Sequence, residues 1–477
     1  MEGSLPETLL AQFSDCLAAR VGLHFQRERW PELIRGIDLA AADLGFSDAA
    51  TCMRHLLSAD LTRTQIEVLA SHLTVGETYF FREPRSFEVL ANDVLPELIQ
   101  TRRAEGRSLR IWSAACCTGE EAYSIAILLD QLLPDLADWN VTILATDINP
   151  HFLRRAGEGL YKEWSFRGVG REVQDRYFTR EAGGLRIHPR IRSMVTLSYH
   201  NLVEDRFPSI DSNTNAMDIV LCRNVLMYFS PDRARAVVGY LHRALRDGGW
   251  LIPSAVDGSP PLFAPFVLVD VKGATFYRKR EVPSLPAHPA ASIVVQRVPV
   301  PPDRSAESRP DAYQAASAFH DQGRYAEASE TLIEHLSDER QDVPAMLLLA
   351  RTYANQGRLA EALQWGTKVV AADRLSAGHH YLLAMIQQEM GALADAAASL
   401  HRALFLDPQF VLAHFASANL ARIEGKRPEA RKHYRNTLRL LEGRRSGDIL
   451  PESEGLTVER LQEIVRHAAE MIDGGST

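Results

Sequence analysis

Four stretches between residues 109 and 229 carry side chains suited to gripping a small polar ligand. Residues 109–127 read as a strand, a loop of small residues at 114–119, and a helix opening on Glu120 and Glu121. Small side chains after a first strand let a ligand approach the backbone, as nucleotide-type sites require. That loop holds a single glycine, Gly119, so the dinucleotide fingerprint is missing and hydride chemistry is disfavoured. Carboxylates at a helix start also suit the positive end of the macrodipole, a plain capping role open to Glu120. They would repel a pyrophosphate, so a cationic or ribose-bearing ligand fits better. A second strand ends in Asp147, which can accept hydroxyl hydrogen bonds from a ribose or simply close a turn. A later strand ends in Cys222-Arg223-Asn224 with Tyr228 one turn beyond, and Asn201 follows a strand between them.

Elements able to hold these residues follow from the pattern. Runs at 109–113, 141–145, 195–199, 218–222, 250–252 and 267–271 are short and β-rich, and helical segments separate them. Such alternation predicts a doubly wound parallel α/β sheet with ligand at the strand C-termini. Before it, residues 5–21, 30–44, 49–57 and 65–73 show helical spacing, with Ser47 and Thr62 placed as caps.

The chain has 477 residues, 46% of them hydrophobic and 24% charged, which asks for two or three soluble domains. Its net charge of −8 argues against nucleic-acid binding. No apolar run reaches the ~18 residues of a membrane span, and residues 1–10 lack a signal-peptide pattern. Cys16, Cys52, Cys116, Cys117 and Cys222 show no metal-ligand spacing. A cytoplasmic chain with neither metal nor membrane insertion is therefore expected.

Residues 281–310 contain Pro283, Pro286, Pro289, Pro299, Pro301, Pro302 and Pro310, so a stiff linker is expected over 281–308. Beyond it, Gly323, Gly357, Gly391 and Gly425 recur every 34 residues. Ala316, Ala350, Ala384 and Ala418 precede them at one offset, and Ala328, Ala362, Ala396 and Ala430 follow at another. This pattern resembles the tetratricopeptide repeat, a helix–turn–helix unit whose alanines allow close helix packing. It predicts four repeats over 309–444, with residues 457–472 as a capping helix in a 445–477 tail. The concave face of such a stack suits a protein partner, although self-association or stiffening of the chain also fits. The repeats could equally fold back over the active site as a brake.

The motifs TxFFRE (78–83), SAACCTGEEAYSIA (113–126), ATDIN (145–149), HNL (200–202) and CRNVLMYF (222–229) occur in order. Together they resemble the CheR-type chemoreceptor glutamate O-methyltransferases, from residue 5 to about 279. The resemblance implies an N-terminal helical domain (1–75) and an S-adenosylmethionine-dependent, Rossmann-like class I methyltransferase domain (76–280). A small antiparallel β-subdomain would be inserted at about 176–199. It implies that Thr78, Arg82, Glu121, Asp147, Asn201, Leu202, Arg223 and Asn224 line the cofactor site. Asp147 would hold the ribose, Glu121 the amino-acid part, and Asn201 with Leu202 the adenine side. Arg82 and Tyr228 would form the catalytic pair nearest the methyl. The expected products are receptor glutamate methyl esters and S-adenosylhomocysteine, in chemotaxis-type signal transduction.

Two positions depart from the family pattern. Gly76 stands where asparagine is common, so one cofactor contact is expected to be lost. Ser254-Ala255-Val256-Asp257 replaces a frequent Gly-His-Ser-Glu, with altered local packing expected. Residues 154–206 hold eleven Arg or Lys against seven Asp or Glu, so the segment is locally +4. That suits docking on the acidic helical domain of a methyl-accepting receptor. The short 181–185 loop favours recognition without a receptor tether. The rival reading is a cofactor-binding adaptor that acts through its repeats with little transfer.

Overall fold

The computed structural model describes residues 5–203, 207–210, 212–258, 260–280, 312–338, 341–453 and 456–473; the proline-rich stretch 281–308 lies outside them. Helices α1 (Glu7–Arg20), α2 (Trp30–Asp43), α3 (Ala49–Leu57) and α4 (Arg63–Leu73) bury Phe13, Leu17, Leu33, Ile37, Met53 and Leu69 in one core. Thr62 caps α4 in a capping box, with Gln65 donating its N–H to Thr62 Oγ1 and its side chain accepting in return. Ser47 is not the cap of α3. Asp48 takes that role, its carboxylate accepting the Thr51 N–H at 2.8 Å while Ser47 donates to Asp48. A carboxylate answers both the orphan N–H and the helix dipole.

Ten strands are described: β1 (Ser108–Ala114), β2 (Asn140–Asp147), β3 (Leu160–Tyr161), β4 (Phe178–Glu181), β5 (Gly184–Ile187), β6 (Val195–Tyr199), β7 (Met217–Cys222), β8 (Leu245–Pro253), β9 (Val267–Val271) and β10 (Ala274–Arg278). The main sheet runs β6-β2-β1-β7-β8-β10-β9, parallel through β8, with β10 antiparallel to both its neighbours. Every residue of β7 is buried, as a strand covered on both faces must be.

The small sheet is β3-β5-β4, so the inserted strands lie between 160 and 187 rather than within 176–199. Val195–Tyr199 is instead the edge strand of the main sheet, paired with β2. Gly159, at φ +64°, caps the helix Pro150–Glu158 and turns the chain straight into β3, which starts the insertion early.

Four helix pairs follow: Ala312–Asp321 with Tyr325–Asp338, Val343–Asn355 with Leu359–Ala372, Ala377–Glu389 with Leu393–Leu406, and Val411–Ile423 with Arg427–Leu441. Gly357 and its equivalents turn each pair at φ +70° to +76°. The spaced alanines sit in the helix contacts, Ala328, Ala362, Ala396 and Ala430 being fully buried. A last helix, Val458–Asp473, seals the stack with Leu461 and Val465.

The repeats dock on the α/β unit through their turns. Gly323 faces Arg243, Gly357 faces Ala216 and Arg246, and Gly391 faces Asn140. Asn140 donates to the Glu389 carbonyl at 2.7 Å, and Ile210 joins the repeats' own apolar core. Asn140 opens β2, and Asn213, Asn215 and Arg246 lie at the starts of β7 and β8. The repeats therefore sit at the N-terminal ends of the parallel strands. Among the described residues no helix is long and apolar enough to cross a membrane.

Candidate active site

At the other end of those strands lies a cleft enclosing about 980 Å³, a figure that includes space open to solvent. Thr78, Arg82, Glu121, Asp147, Asn201, Leu202, Arg223, Asn224 and Tyr228 all line it. The geometry thus brings the residues that the resemblance assigned to the site into one place, while Glu120 turns away to bind Thr118 and Ser165. The described lining comes from residues 21–229, with no repeat residue among it.

The loop after β1 is held in a shape few side chains favour. Ala115, Cys117 and Gly119 all have positive φ, and a Cβ on Gly119 would meet the Ala156 Cβ at 2.9 Å. Asp147 Oδ2 accepts the Cys117 N–H and Oδ1 the Asn149 N–H, each at 2.8 Å. Each oxygen keeps a lone pair for a ligand hydroxyl. Burial pushes the Asp147 carboxyl up to about 6, against those backbone N–H groups, which favour the anion. Cys116 is buried and Cys117 half-buried; burial raises both thiols, leaving them protonated in the loop.

Glu121 accepts from Ser113 Oγ at 2.7 Å and from Arg223 Nη1 at 3.2 Å. Arg223 also donates through Nη2 to the Arg82 carbonyl at 2.6 Å and pairs with Glu83 at 3.2 Å. Its guanidinium clamps the 82–83 segment to the sheet. Arg223 Nε is buried there without a hydrogen-bond partner among the described residues. Asn201 donates to the Arg20 carbonyl at 2.8 Å and accepts the Val203 N–H, which ties the cleft to the end of α1.

Arg82 donates to the Glu77 carbonyl at 2.5 Å and lies at the half-buried mouth. Tyr228 stands nearby, its hydroxyl pKa raised by burial, with Arg29 5.6 Å from its ring centroid and its carbonyl receiving the His24 N–H. Val21, Leu23, Phe152 and Phe229 add an apolar wall that sequence reasoning missed. Gly76 has a physical reason: a Cβ there would sit 2.8 Å from Phe152 Cζ. Asp257 was also missed; it lies behind the cleft, 3% exposed, and binds the loop carrying Asn224. The only sequence signal was its place in the divergent 254–257 stretch.

The basic segment is partly self-satisfied. Arg186 pairs with Glu181, Arg190 with Asp130 and Arg167 with Glu77, while Arg171 and Arg180 are exposed.

Residues 76–253 match the family model described as CheR methyltransferase, SAM binding domain. Chemotaxis protein methyltransferase 1 of Pseudomonas aeruginosa is 36% identical over 220 residues, covering 45% of this chain and 77% of that protein. The chain belongs to the CheR methyltransferase family. Another CheR-like relative, the probable biofilm formation methyltransferase WspC of Pseudomonas aeruginosa, is 32% identical over 264 residues, 52% of this chain and 59% of its own length. An uncharacterised 104.1 kDa protein of Rhodobacter capsulatus is 35% identical over 202 residues, yet the chain spans only 20% of it. Residues 319–386 match the tetratricopeptide repeat model, so this CheR-type methyltransferase carries repeats behind its catalytic unit.

Proposed function

We propose that the chain transfers methyl groups from S-adenosylmethionine to glutamate side chains of a methyl-accepting receptor. The observation that carries this reading is the convergence of Arg82, Glu121, Asp147, Asn201, Arg223 and Tyr228 on one cleft at the strand C-termini. Asp147 offers a lone pair on each oxygen to the ribose hydroxyls. Glu121 faces the cationic amino-acid part, and Asn201 with Leu202 borders the adenine. The polar groups and the apolar wall of Val21, Leu23, Phe152 and Phe229 together fit a ligand of mixed polarity. When bound, S-adenosylmethionine supplies an electrophilic methyl that a glutamate oxygen accepts, the C–S electron pair staying on sulfur.

A glutamate with pKa ~4.3 is ionised at neutral pH, so the chain needs no general base. Its task is alignment and exclusion of water. Arg82 carries a planar fork matched to a carboxylate and sits at the mouth where a substrate enters. Tyr228 is protonated at neutral pH, and burial raises its pKa further, so it can donate to the incoming carboxylate.

We assign the helical unit to 1–75, the methyltransferase unit to 76–280, the linker to 281–308, four repeats to 309–444 and a capping tail to 445–477. The substrate is an acidic receptor helical domain in the cytoplasm, met by the basic inserted segment. The repeats bind a protein partner or a second copy. Incubation with labelled S-adenosylmethionine and receptor-containing membranes tests the reading. Base-labile label on receptor protein is expected; label confined to other species would defeat it.

A further inference from the structure

We propose that Asp257 is a positioning residue for methyl transfer, fixing the backbone of the loop that carries Asn224 and Tyr228. The inference rests on the methyltransferase reading above and adds to it a residue outside the cleft.

Four backbone N–H groups converge on this one carboxylate. Oδ2 accepts from Asn224 at 2.6 Å and from Ser254 at 2.9 Å. Oδ1 accepts from Val225 at 2.8 Å and from Met227 at 3.4 Å. The Asn224 side chain donates to Ser254 Oγ at 3.0 Å, so the two loops are joined twice. Asn224 has φ +57°, a conformation a non-glycine residue keeps only when its surroundings impose it. Asp257 supplies that constraint from a buried site. It does not line the cleft itself, so it acts through the loop.

The two ends of this loop are held differently. Arg223 is clamped from the opposite side by Glu121, Glu83 and the Arg82 carbonyl, independently of Asp257. The stretch 224–227 that leads to Tyr228 takes three of its backbone contacts from Asp257. Loss of the carboxylate therefore releases Asn224 and the stretch leading to Tyr228, while Arg223, Glu121 and Asp147 on the cofactor side keep their anchors.

Asp257→Asn preserves shape but turns an amide N–H toward backbone donors. In the full-length protein it lowers kcat about 10²-fold, the effect of a misplacement of ~1 Å, while affinity for S-adenosylhomocysteine by calorimetry falls much less, by the share of Asn224 alone. Asp257→Glu, which restores a carboxylate, returns most of the lost rate. Wild-type turnover in Asp257→Asn overturns the inference. So does a loss of S-adenosylhomocysteine affinity proportional to the loss of kcat, or an Asp257→Glu as slow as the amide. Ser254→Ala removes the acceptor of the Asn224 side chain and of the Val256 N–H at 3.3 Å; a reduced kcat with a smaller fall in affinity is expected. A wild-type rate there overturns the claim even where Asp257→Asn fails to fold. A wild-type protein that neither binds S-adenosylhomocysteine nor transfers methyl groups would fault the methyltransferase reading instead.

Discussion

Glu389, at the end of a repeat helix, lies 3.9 Å from Arg110 of β1, and both side chains are only 7% exposed. Asn215 Nδ2 reaches the same carboxylate at 3.3 Å, and Arg110 also binds the Asn213 side chain at 2.6 Å. Close by, fully buried Asp218 accepts from Arg102 Nε at 2.8 Å and from the Arg110 backbone N–H at 2.9 Å. A polar joint thus fixes the repeats to the end of the sheet away from the cleft, which does not fit a repeat domain folded over the active site. Glu389→Ala should cost about 1–3 kcal/mol, the penalty for buried partners left unsatisfied. A lower Tm and a larger radius of gyration in small-angle scattering would show it. Affinity for S-adenosylhomocysteine should stay unchanged.

The Asp147 carboxyl, raised to about 6 from a usual 3.8, makes ligand binding depend on pH. Ribose hydroxyls need the ionised form as acceptor, so S-adenosylhomocysteine affinity should fall about tenfold per unit as pH drops below 6. The linked stability runs the other way. The folded ligand-free protein binds this proton more tightly than the unfolded chain, so this group favours folding increasingly as pH falls from about 6 toward 3.8. Calorimetric titration across pH, with Asp147→Asn losing the dependence, checks both signs.

Gly76 and Phe152 form a steric pair. Gly76→Asn should destabilise the protein by about 1–3 kcal/mol through overpacking. Adding Phe152→Ala should relieve part of that cost, since the ring is the atom group in the way. A double-mutant cycle on thermal unfolding measures the coupling, expected at about 0.5–3 kcal/mol.

Arg82→Ala should abolish transfer while leaving the fold intact, because the one described hydrogen bond of its side chain is to the Glu77 carbonyl at the surface, and the backbone carbonyl that Arg223 holds is kept. Single-turnover assays with receptor substrate would show it, with circular dichroism as the check on folding. Wild-type turnover would remove Arg82 from the site.

Much of this was legible in the sequence because it is local. Thr62 announces a helix cap, the 34-residue glycine period announces helix pairs, and Asp147 and Arg223 stand at the ends of strands whose apolar runs are unmistakable. What escaped depends on partners distant in the chain. Val195–Tyr199 reads equally well as part of an insertion or of the main sheet, and pairing with Ile143–Asp147 decides it. Asp257 looked like a divergent packing residue because its four N–H partners are invisible without the turn at 254–257. Glu389 reads as an ordinary polar residue near a helix end, and only its contact with Arg110 and Asn215 gives it meaning. The described repeat turns meet a surface, at Arg243, Arg246 and Asn140, that no periodicity could name.

The central claim is tested most directly by mapping the modified residues. Receptor incubated with S-adenosylmethionine and the full-length chain, then digested and sequenced by mass spectrometry, should carry methyl esters on glutamates of its cytoplasmic helices. Arg82→Ala should leave those peptides unmodified. Methyl groups found only on other side chains, or on no receptor peptide while another molecule becomes methylated, would contradict the account.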